Sequence, residues 1–451
     1  MKRRITTEFS SPKQWEDEKA KYKKGEPVEM YARYSYPELQ KREEEFAEMI
    51  GVPDTALFNS GMAAIHTTIE AEQLRPGDIV MCAKEVYGMT KEVVEALAAK
   101  GITIHYFDSA DTEEFKKMSA QYRPRLVVLE SIANSKNMEV ANIDALAETC
   151  DKLNESYQND YTGEAILSRF IEKKERYENV SNETKGMLQD VIEEFKRGNN
   201  PFVFRSAIRA LEQETGRPRR ETIQDLSKMV KHVLKQSREK VSLIIDNTLA
   251  SPALFNPLSE TAGHEVETVV VESGTKHFQA GKDKITSGIA YSDDEEKIKT
   301  IKNVRAMIGT YLQPVAEKEI PKDITEQMPE IMARHAKNAV ALAQQLDNTG
   351  KIEVSHPNLP KHEQNELIET IAPDGAVSLF YIRVPDAQAF IKTIKAAGGD
   401  SVGIGSSFGH DKTWLSDFEL EPGSVRIAVG SESEEDFKKT LQIFEQVLQA
   451  M

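Results

Sequence analysis

From Thr55 to Ser131 short apolar runs alternate with amphipathic stretches. Thr55–Phe58, Ile79–Ala83, Ile102–Phe107 and Leu126–Leu129 have the length and near-continuous apolarity of strands covered on both faces. Between and after them, Ala63–Gln73, Lys91–Lys100 and Ile143–Leu153 place apolar residues at helical spacing. Strands separated by helices of this length predict an α/β fold, a mainly parallel sheet with helices on both faces. Such sheets bind ligands at the carboxyl ends of their strands. From about Asp151 to Lys240 the alternation gives way to charged helical sequence. Apolar spacing in Ala165–Ile171 and Met187–Ile192 is helical, and Asn199-Asn200-Pro201 and Gly216-Arg217-Pro218 punctuate it as turns. The sheet pattern resumes at Leu243–Ile245, Thr268–Val271 and Ile289–Tyr291. Beyond Pro314 a long helix around Ile331–Leu346, strands at Ala376–Val384 and Ser424–Val429, and helices at Ala387–Ala397 and Glu434–Leu448 predict a small α+β domain. The expected organisation is an amino-terminal arm (1–50), a large domain (51–310) with a helical insert (151–240), and a carboxyl-terminal domain (311–451). The insert is either a solvated bundle without chemistry or a surface for a partner or an oligomer.

A chain of 451 residues with 39% hydrophobic content can bury a large core. Its net charge of -16 argues against general binding to nucleic acid or anionic membranes, because nothing basic offsets phosphate repulsion. Met1-Lys2-Arg3-Arg4 is followed by no apolar stretch, and no run has the length to span a bilayer. Cys82 lies in a predicted strand and Cys150 in a predicted helix, without metal-like or redox-like spacing. Buried thiols, no metal site and a cytoplasmic compartment are therefore expected.

Candidate chemistry gathers at the predicted strand ends. Ser273-Gly274-Thr275-Lys276 offers two hydroxyls and an amine, and Asp246 closes the apolar run Leu243–Ile245. A lysine amine can form a Schiff base with the aldehyde of pyridoxal phosphate (PLP), hydroxyls can bind its phosphate, and a carboxylate can keep its pyridine nitrogen protonated. Taken alone, the run also suits a solvated surface lysine. Asn59-Ser60-Gly61-Met62-Ala63-Ala64 lies where a strand turns into a helix, either an ordinary turn or an anion site at a helix amino terminus. Tyr87-Gly88 follows the second strand, where an aromatic ring can stack on a flat cofactor or serve structure. In Glu130-Ser131-Ile132-Ala133-Asn134 an amide can reach a cofactor oxygen.

The order of these pieces resembles the Cys/Met-metabolism family of PLP-dependent enzymes, which includes cystathionine γ-synthase, the cystathionine lyases and methionine γ-lyase. The family's Tyr-x-Arg followed by Pro is matched by Tyr31-Ala32-Arg33 and Pro37, and its Ser-Gly-Met-Ala-Ala by Ser60 to Ala64. Tyr-Gly-x-Thr is Tyr87 to Thr90, Glu-Ser-x-x-Asn is Glu130 to Asn134, Asp-Asn-Thr is Asp246 to Thr248, and Ser-x-Thr-Lys is Ser273 to Lys276. The resemblance implies a type I PLP-dependent transferase fold, like that of aspartate aminotransferase. It implies Lys276 and Tyr87 as catalytic residues, with Lys276 as Schiff-base lysine and proton-transfer base and Tyr87 stacked on the ring. Asp246 would pair with the ring nitrogen and Asn134 would meet the ring hydroxyl. Gly61, Met62, Ser273 and Thr275 would bind phosphate, and Thr248 would complete the cofactor set. Tyr31 and Arg33 would reach a neighbouring subunit's cofactor, implying a homo-oligomer, a dimer of dimers. Arg426, in Ser424–Gly430, matches the arginine that clamps a substrate carboxylate, a task its planar fork suits.

The substrate side departs from the family pattern. After Lys276 the family continues with Tyr and then Gly-His-x-Asp, whereas this chain has His277-Phe278-Gln279-Ala280-Gly281-Lys282-Asp283, keeping the aspartate alone. The family's Ser-Leu-Gly loop is matched by Ser407-Phe408-Gly409, with Lys412 in the acidic slot before Thr413. In the alternative register Ser401-Val402-Gly403 puts Ser406 in that slot. Ser407 is the preferred carboxylate contact. Met89 fills the variable position of the tyrosine loop. The expected activity is β- or γ-elimination or γ-replacement on cystathionine, methionine, cysteine or an O-acylhomoserine, small-molecule amino-acid substrates. The alternative is a protein of this fold that acts mainly in assembly or regulation through its helical insert.

Overall fold

The computed structural model describes residues 11–23, 32–160, 180–196, 202–236, 240–279, 281, 284–418 and 421–450. Tyr31, the helical run 165–171, the turn 199–201 and the positions 280, 282 and 283 lie outside them. Contacts divide the chain into two units, 1–147 with 242–451, and 148–241.

The first unit contains a seven-stranded sheet. Its strands are β1 (Asp54–Phe58), β2 (Ile79–Ala83), β3 (Thr103–Phe107), β4 (Leu126–Glu130), β5 (Ser242–Asp246), β6 (Glu267–Ser273) and β7 (Gly288–Ser292), in the order β1-β7-β6-β5-β4-β2-β3. β7 runs antiparallel to both neighbours, and every other pairing is parallel. The carboxyl ends of β1, β2, β4, β5 and β6 therefore share one edge with the start of β7. Both faces are covered, as the period-2 alternation of β6 shows. Val270 joins Leu57, Ile289 and Tyr291 in a cluster with Leu39 and Phe46 of helix Pro37–Ile50 and Met328 and Met332 of helix Ile324–Asn348. Ser273 points to the opposite face, where Gly61 begins helix Gly61–Ala71 close against it.

A second sheet, β10-β11-β12-β9-β8, is formed by β8 (Glu353–Ser355), β9 (Leu379–Arg383), β10 (Gly403–Ile404), β11 (Trp414–Ser416) and β12 (Ser424–Ala428). Phe380 and Ile382 of β9 and Val425 and Ile427 of β12 pack with Leu342, Phe390 and Phe444 from helices Ile324–Asn348, Ala387–Gly398 and Glu434–Ala450. Alternation then turns the intervening Tyr381 and Arg426, which are register partners, to the other face.

Several element bounds differ from the sequence pattern for local reasons. The helix expected at Lys91–Lys100 starts at Gly88, becomes a 3₁₀ turn at Leu97 and ends where Gly101 takes φ +78°. The strand expected from Ala376 begins at Leu379, because Ala376 N–H turns to the Asn358 side chain. Helices Pro37–Ile50, Thr112–Tyr122 and Glu295–Ile308 escape the pattern because charged residues dominate them.

In the unit 148–241, helices Asn182–Lys196, Phe202–Thr215 and Arg219–Gln236 pack on one another around Leu188, Val191, Ile208, Leu211 and Leu226. Glu214 caps the start of the first, accepting hydrogen bonds from Ser181 and Thr184. Cys82 and Cys150 are both buried thiols. Among the described residues no helix is long and apolar enough to cross a membrane, and no cluster of side chains is suited to a metal ion.

Candidate active site

The strand ends converge because glycines let them. A Cβ on Gly61 would lie 2.8 Å from Ser273 Cβ, and one on Gly288 only 2.4 Å from the Ser60 carbonyl oxygen. Ser60 caps the helix behind it, accepting from Ala63 N–H at 3.0 Å. The remaining first-turn N–H groups and the helix dipole face the hydroxyl-bearing turn of Ser273 and Thr275. Thr275 Oγ1 accepts from Ser287 N–H at 3.2 Å, which fastens that turn to the start of β7.

Asp246 ends β5, and its Oδ1 accepts from Thr248 N–H at 2.9 Å and Thr248 Oγ1 at 2.5 Å. Thr248 Oγ1 in turn accepts from Ser273 N–H at 2.8 Å, so one threonine joins the aspartate to the lysine turn. Burial raises the Asp246 carboxyl above its usual range, against the lowering effect of the Thr248 hydrogen bonds. Glu130, its register partner on β4, is raised by its own burial and by the charge of Asp246. Glu272, buried and hydrogen-bonded by Tyr291 at 2.7 Å, is also raised by burial. These carboxyl groups make a low-dielectric edge that favours either a shared proton or a cationic ligand.

Glu130 also fixes two loops. Its Oε1 accepts from Tyr87 N–H at 2.6 Å and its Oε2 from Asn134 N–H at 3.1 Å. Tyr87 leaves that anchor 53% exposed, a ring presented to the open edge. Met62 is half-buried one residue into its helix, and Met89 is exposed beside Tyr87.

Lys276 meets the second sheet. Its Nζ donates to Ser407 Oγ at 3.1 Å and lies 5.2 Å from the centre of the Phe408 ring. Gly409, at φ +84°, brings the loop so close that a Cβ there would lie 2.3 Å from the Lys276 carbonyl oxygen. His277 is 4% exposed, and its ring lies 5.6 Å from Phe408 and 6.0 Å from His335. Burial pushes His277 down to about 3, helped by His335 and Lys276, so it is neutral at physiological pH. Arg426 donates to the Ser406 carbonyl, and Tyr381 beside it donates to Asn134 Oδ1 at 2.8 Å.

The structure thus gathers Gly61, Tyr87, Asn134, Asp246, Thr248, Ser273, Thr275, Lys276, Ser407 and Arg426 along one edge and the loop facing it. Ser401 sits exposed in the 3₁₀ turn Gly399–Ser401, and Lys412 reaches back to the Asp400 carbonyl at 3.0 Å. Thr413 is buried and bonded to Glu432. Arg33 is half-buried, with its guanidinium 5.1 Å over the Tyr34 ring, whereas Tyr31 lies outside the described residues. Sequence reasoning missed Tyr381, and quoted Glu130 and Phe408 without a role. Tyr381 had a signal, since the alternation Phe380, Tyr381, Ile382 puts it opposite two core residues.

Comparison with known proteins places these features in a group. The model of the Cys/Met metabolism PLP-dependent enzyme family matches residues 6–158 and 213–444. The cystathionine beta-lyase of Neurospora crassa is 29% identical over 180 residues, covering 40% of this chain and 37% of that protein. The cystathionine gamma-lyase of Rattus norvegicus is 23% identical over 441 residues, covering 91% of this chain and 83% of that protein. Among solved structures, the cystathionine gamma synthase of Xanthomonas oryzae pv. oryzae, in complex with aminoacrylate and cysteine, aligns with a TM-score of 0.66 at 18% identity. That alignment covers 93% of this chain and 88% of the Xanthomonas chain. The fold is the type I PLP-transferase fold that the strand pattern and motifs led us to expect. The comparisons lend no support to the assembly-or-regulation alternative.

Proposed function

The chain belongs to the Cys/Met metabolism family of PLP-dependent enzymes, and from that premise we propose a lyase or transferase that acts on a sulfur amino acid or an activated homoserine. The strand-end residues fit the cofactor. A phosphate suits the amino terminus at Gly61 and Met62 together with the Ser273 and Thr275 hydroxyls. The buried Asp246, held by Thr248 donors, would pair with a protonated ring nitrogen. Tyr87 would cover the ring and Asn134 would meet its oxygen. When bound, PLP supplies an aldehyde for covalent attachment and a ring that withdraws electrons from the substrate's Cα.

The protein's own groups do the rest. Arg426 would fix the substrate carboxylate, with Ser407 beside it, and so orient the Cα–H bond. Lys276 would give up its place to the substrate amine, and its Nζ would then take the Cα proton. Loss of a β or γ substituent would release a thiol or an acyl group. The aminoacrylate held by the Xanthomonas protein is what remains when a β substituent leaves an amino acid, and it supports this class of chemistry.

The observation that carries the proposal is the 3.1 Å approach of Lys276 Nζ to Ser407 Oγ, with Arg426 tied to the adjoining Ser406. It supports a reading in which the amine, a carboxylate clamp and the carboxyl-bearing strand ends share one space. Lys276→Ala tests it. The purified variant is expected to lack the visible absorption of the lysine-linked cofactor and all turnover of cystathionine, methionine, cysteine and O-acylhomoserines. Retention of both would sink the assignment. The same panel on the wild type, scored for 2-oxo acid and thiol, names the substrate.

We also read the molecule as a cytoplasmic homo-oligomer, a dimer of dimers, with Tyr31 and Arg33 on an amino-terminal arm serving the neighbouring subunit. The helical unit is read as an insertion, since the family match skips 159–212.

A further inference from the structure

Asn134 is held at both ends. Its N–H is fixed by Glu130 at 3.1 Å, and its side-chain Oδ1 lies 2.8 Å from Tyr381 Oη. The backbone oxygen of Asn134 is a second, longer neighbour of that hydroxyl at 3.3 Å. Which way the amide faces depends on whether the phenol donates or accepts. The phenol has one proton, and its shorter neighbour is Oδ1, so the proton goes to the Asn134 side chain. Both neighbours on Asn134 are oxygens, so donation is the only role compatible with them. The bond has one polarity, from the Tyr381 hydroxyl to the Asn134 carbonyl.

From this we infer that Tyr381 is a positioning residue that takes the Asn134 amide oxygen, leaving the NH₂ end as the group offered to the cofactor. The inference rests on the proposed contact between Asn134 and the ring oxygen, and it adds the cause of that contact's polarity. A donor at the ring oxygen favours its anionic form and lowers the pH at which the lysine-linked cofactor loses its proton. An amide facing the other way would present an acceptor and do the reverse. Burial of Tyr381 keeps its hydroxyl protonated, so this proton stays available to Asn134. Nothing in the local sequence announces the role, because the partners are 247 residues apart.

The test is a spectroscopic pH titration of the holoenzyme without substrate, reading the midpoint of the visible absorption change. Tyr381→Phe is expected to raise that midpoint by about half to one pH unit, the scale of one lost hydrogen bond. Asn134→Ala should raise it by at least as much. In the Asn134→Ala background, Tyr381→Phe should add no further shift. A wild-type midpoint in Tyr381→Phe alongside a raised one in Asn134→Ala would overturn the role of Tyr381 and leave Asn134 in place. No shift in either variant would remove the Asn134 contact, and the inference with it. An additive shift in the double variant would show that Tyr381 acts by another route. Should Tyr381→Phe fail to accumulate as folded protein, Tyr381→Leu takes its place in the cycle, since it also lacks a donor.

Discussion

The two sides of the site are built by different means. On the cofactor side the fixing hydrogen bonds stay within the first sheet and its turns: Asp246 is bonded by Thr248 two residues on, Ser60 by Ala63 three on, and Glu130 by Asn134 four on and by Tyr87 across 43 residues. The bonds to the second sheet and its loops span the chain, 131 residues from Lys276 to Ser407 and 247 from Tyr381 to Asn134. A bond within one sheet forms once its strands and turns form, whereas one to the second sheet exists only when the two sheets are correctly docked. The cofactor side should therefore tolerate change in the second sheet better than turnover does.

After loss of Lys276 itself, the largest expected effect comes from Arg426. Arg426→Ala removes charge-assisted bonds of about 1.5–3 kcal/mol, so kcat/KM should fall about 10- to 100-fold. The visible absorption should persist, because no cofactor contact is removed. Arg426→Lys should recover only part of the loss, since a point charge cannot reproduce a planar fork. If the band disappears with the turnover, the two sides are not separable in the way proposed.

Two glycines sharpen the contrast. Gly61→Ala drives a methyl group to within 2.8 Å of Ser273 Cβ, separating the helix start from the lysine turn. Gly409→Ala places one 2.3 Å from the Lys276 carbonyl oxygen at a φ of +84°, displacing the loop of Ser407 and Phe408. Strain of this kind costs about 1–3 kcal/mol. Gly61→Ala should weaken PLP binding in a cofactor titration of the apoenzyme, by about 10-fold or more. Gly409→Ala should leave PLP affinity within about 3-fold of wild type while lowering kcat/KM by about 10-fold. Equal loss of affinity in both variants would erase the distinction.

The same division explains what the sequence disclosed. Asp246, Thr248, Ser273, Thr275 and Gly61 are legible because their chemistry is written in adjacent residues at the ends of apolar strands. The fold was legible in the same way, from period and length. Alternation in Phe380-Tyr381-Ile382 turns Tyr381 away from the core and Phe408 is one apolar residue in a loop, but only docking of the second sheet gives them neighbours at Asn134 and Lys276. The departure at His277 was visible as a residue type, but its burial against Phe408 and His335 was not. Charged helices such as Pro37–Ile50 escaped because the buried stripe is thin, although Leu39 and Phe46 are fully buried.

The smallest effect expected concerns acid, and it asks whether the interface behind the lysine is a weak point. Burial lowers His277 to about 3, His335 to about 4 and His356 to about 3. In the unfolded chain each would protonate near its ordinary value of about 6.5. Below that pH the unfolded state binds more protons, so stability present above about 6.5 is lost as the pH falls toward 3–4. Each ring contributes up to about 1.4 kcal/mol per pH unit in this window. His356 lies against Phe380 on the core side of β9, whereas His277 and His335 lie behind the Phe408 loop. His356→Gln should therefore flatten the fall of the unfolding free energy between pH 6.5 and 5 by about one proton's worth, measured by urea titration at each pH. It should leave unchanged any acid loss of turnover that precedes unfolding. If such a loss exists and is also removed by His356→Gln, acid acts through the whole second sheet. If it persists, the pair His277 and His335 is the place where acid loosens the substrate side while the cofactor side still holds.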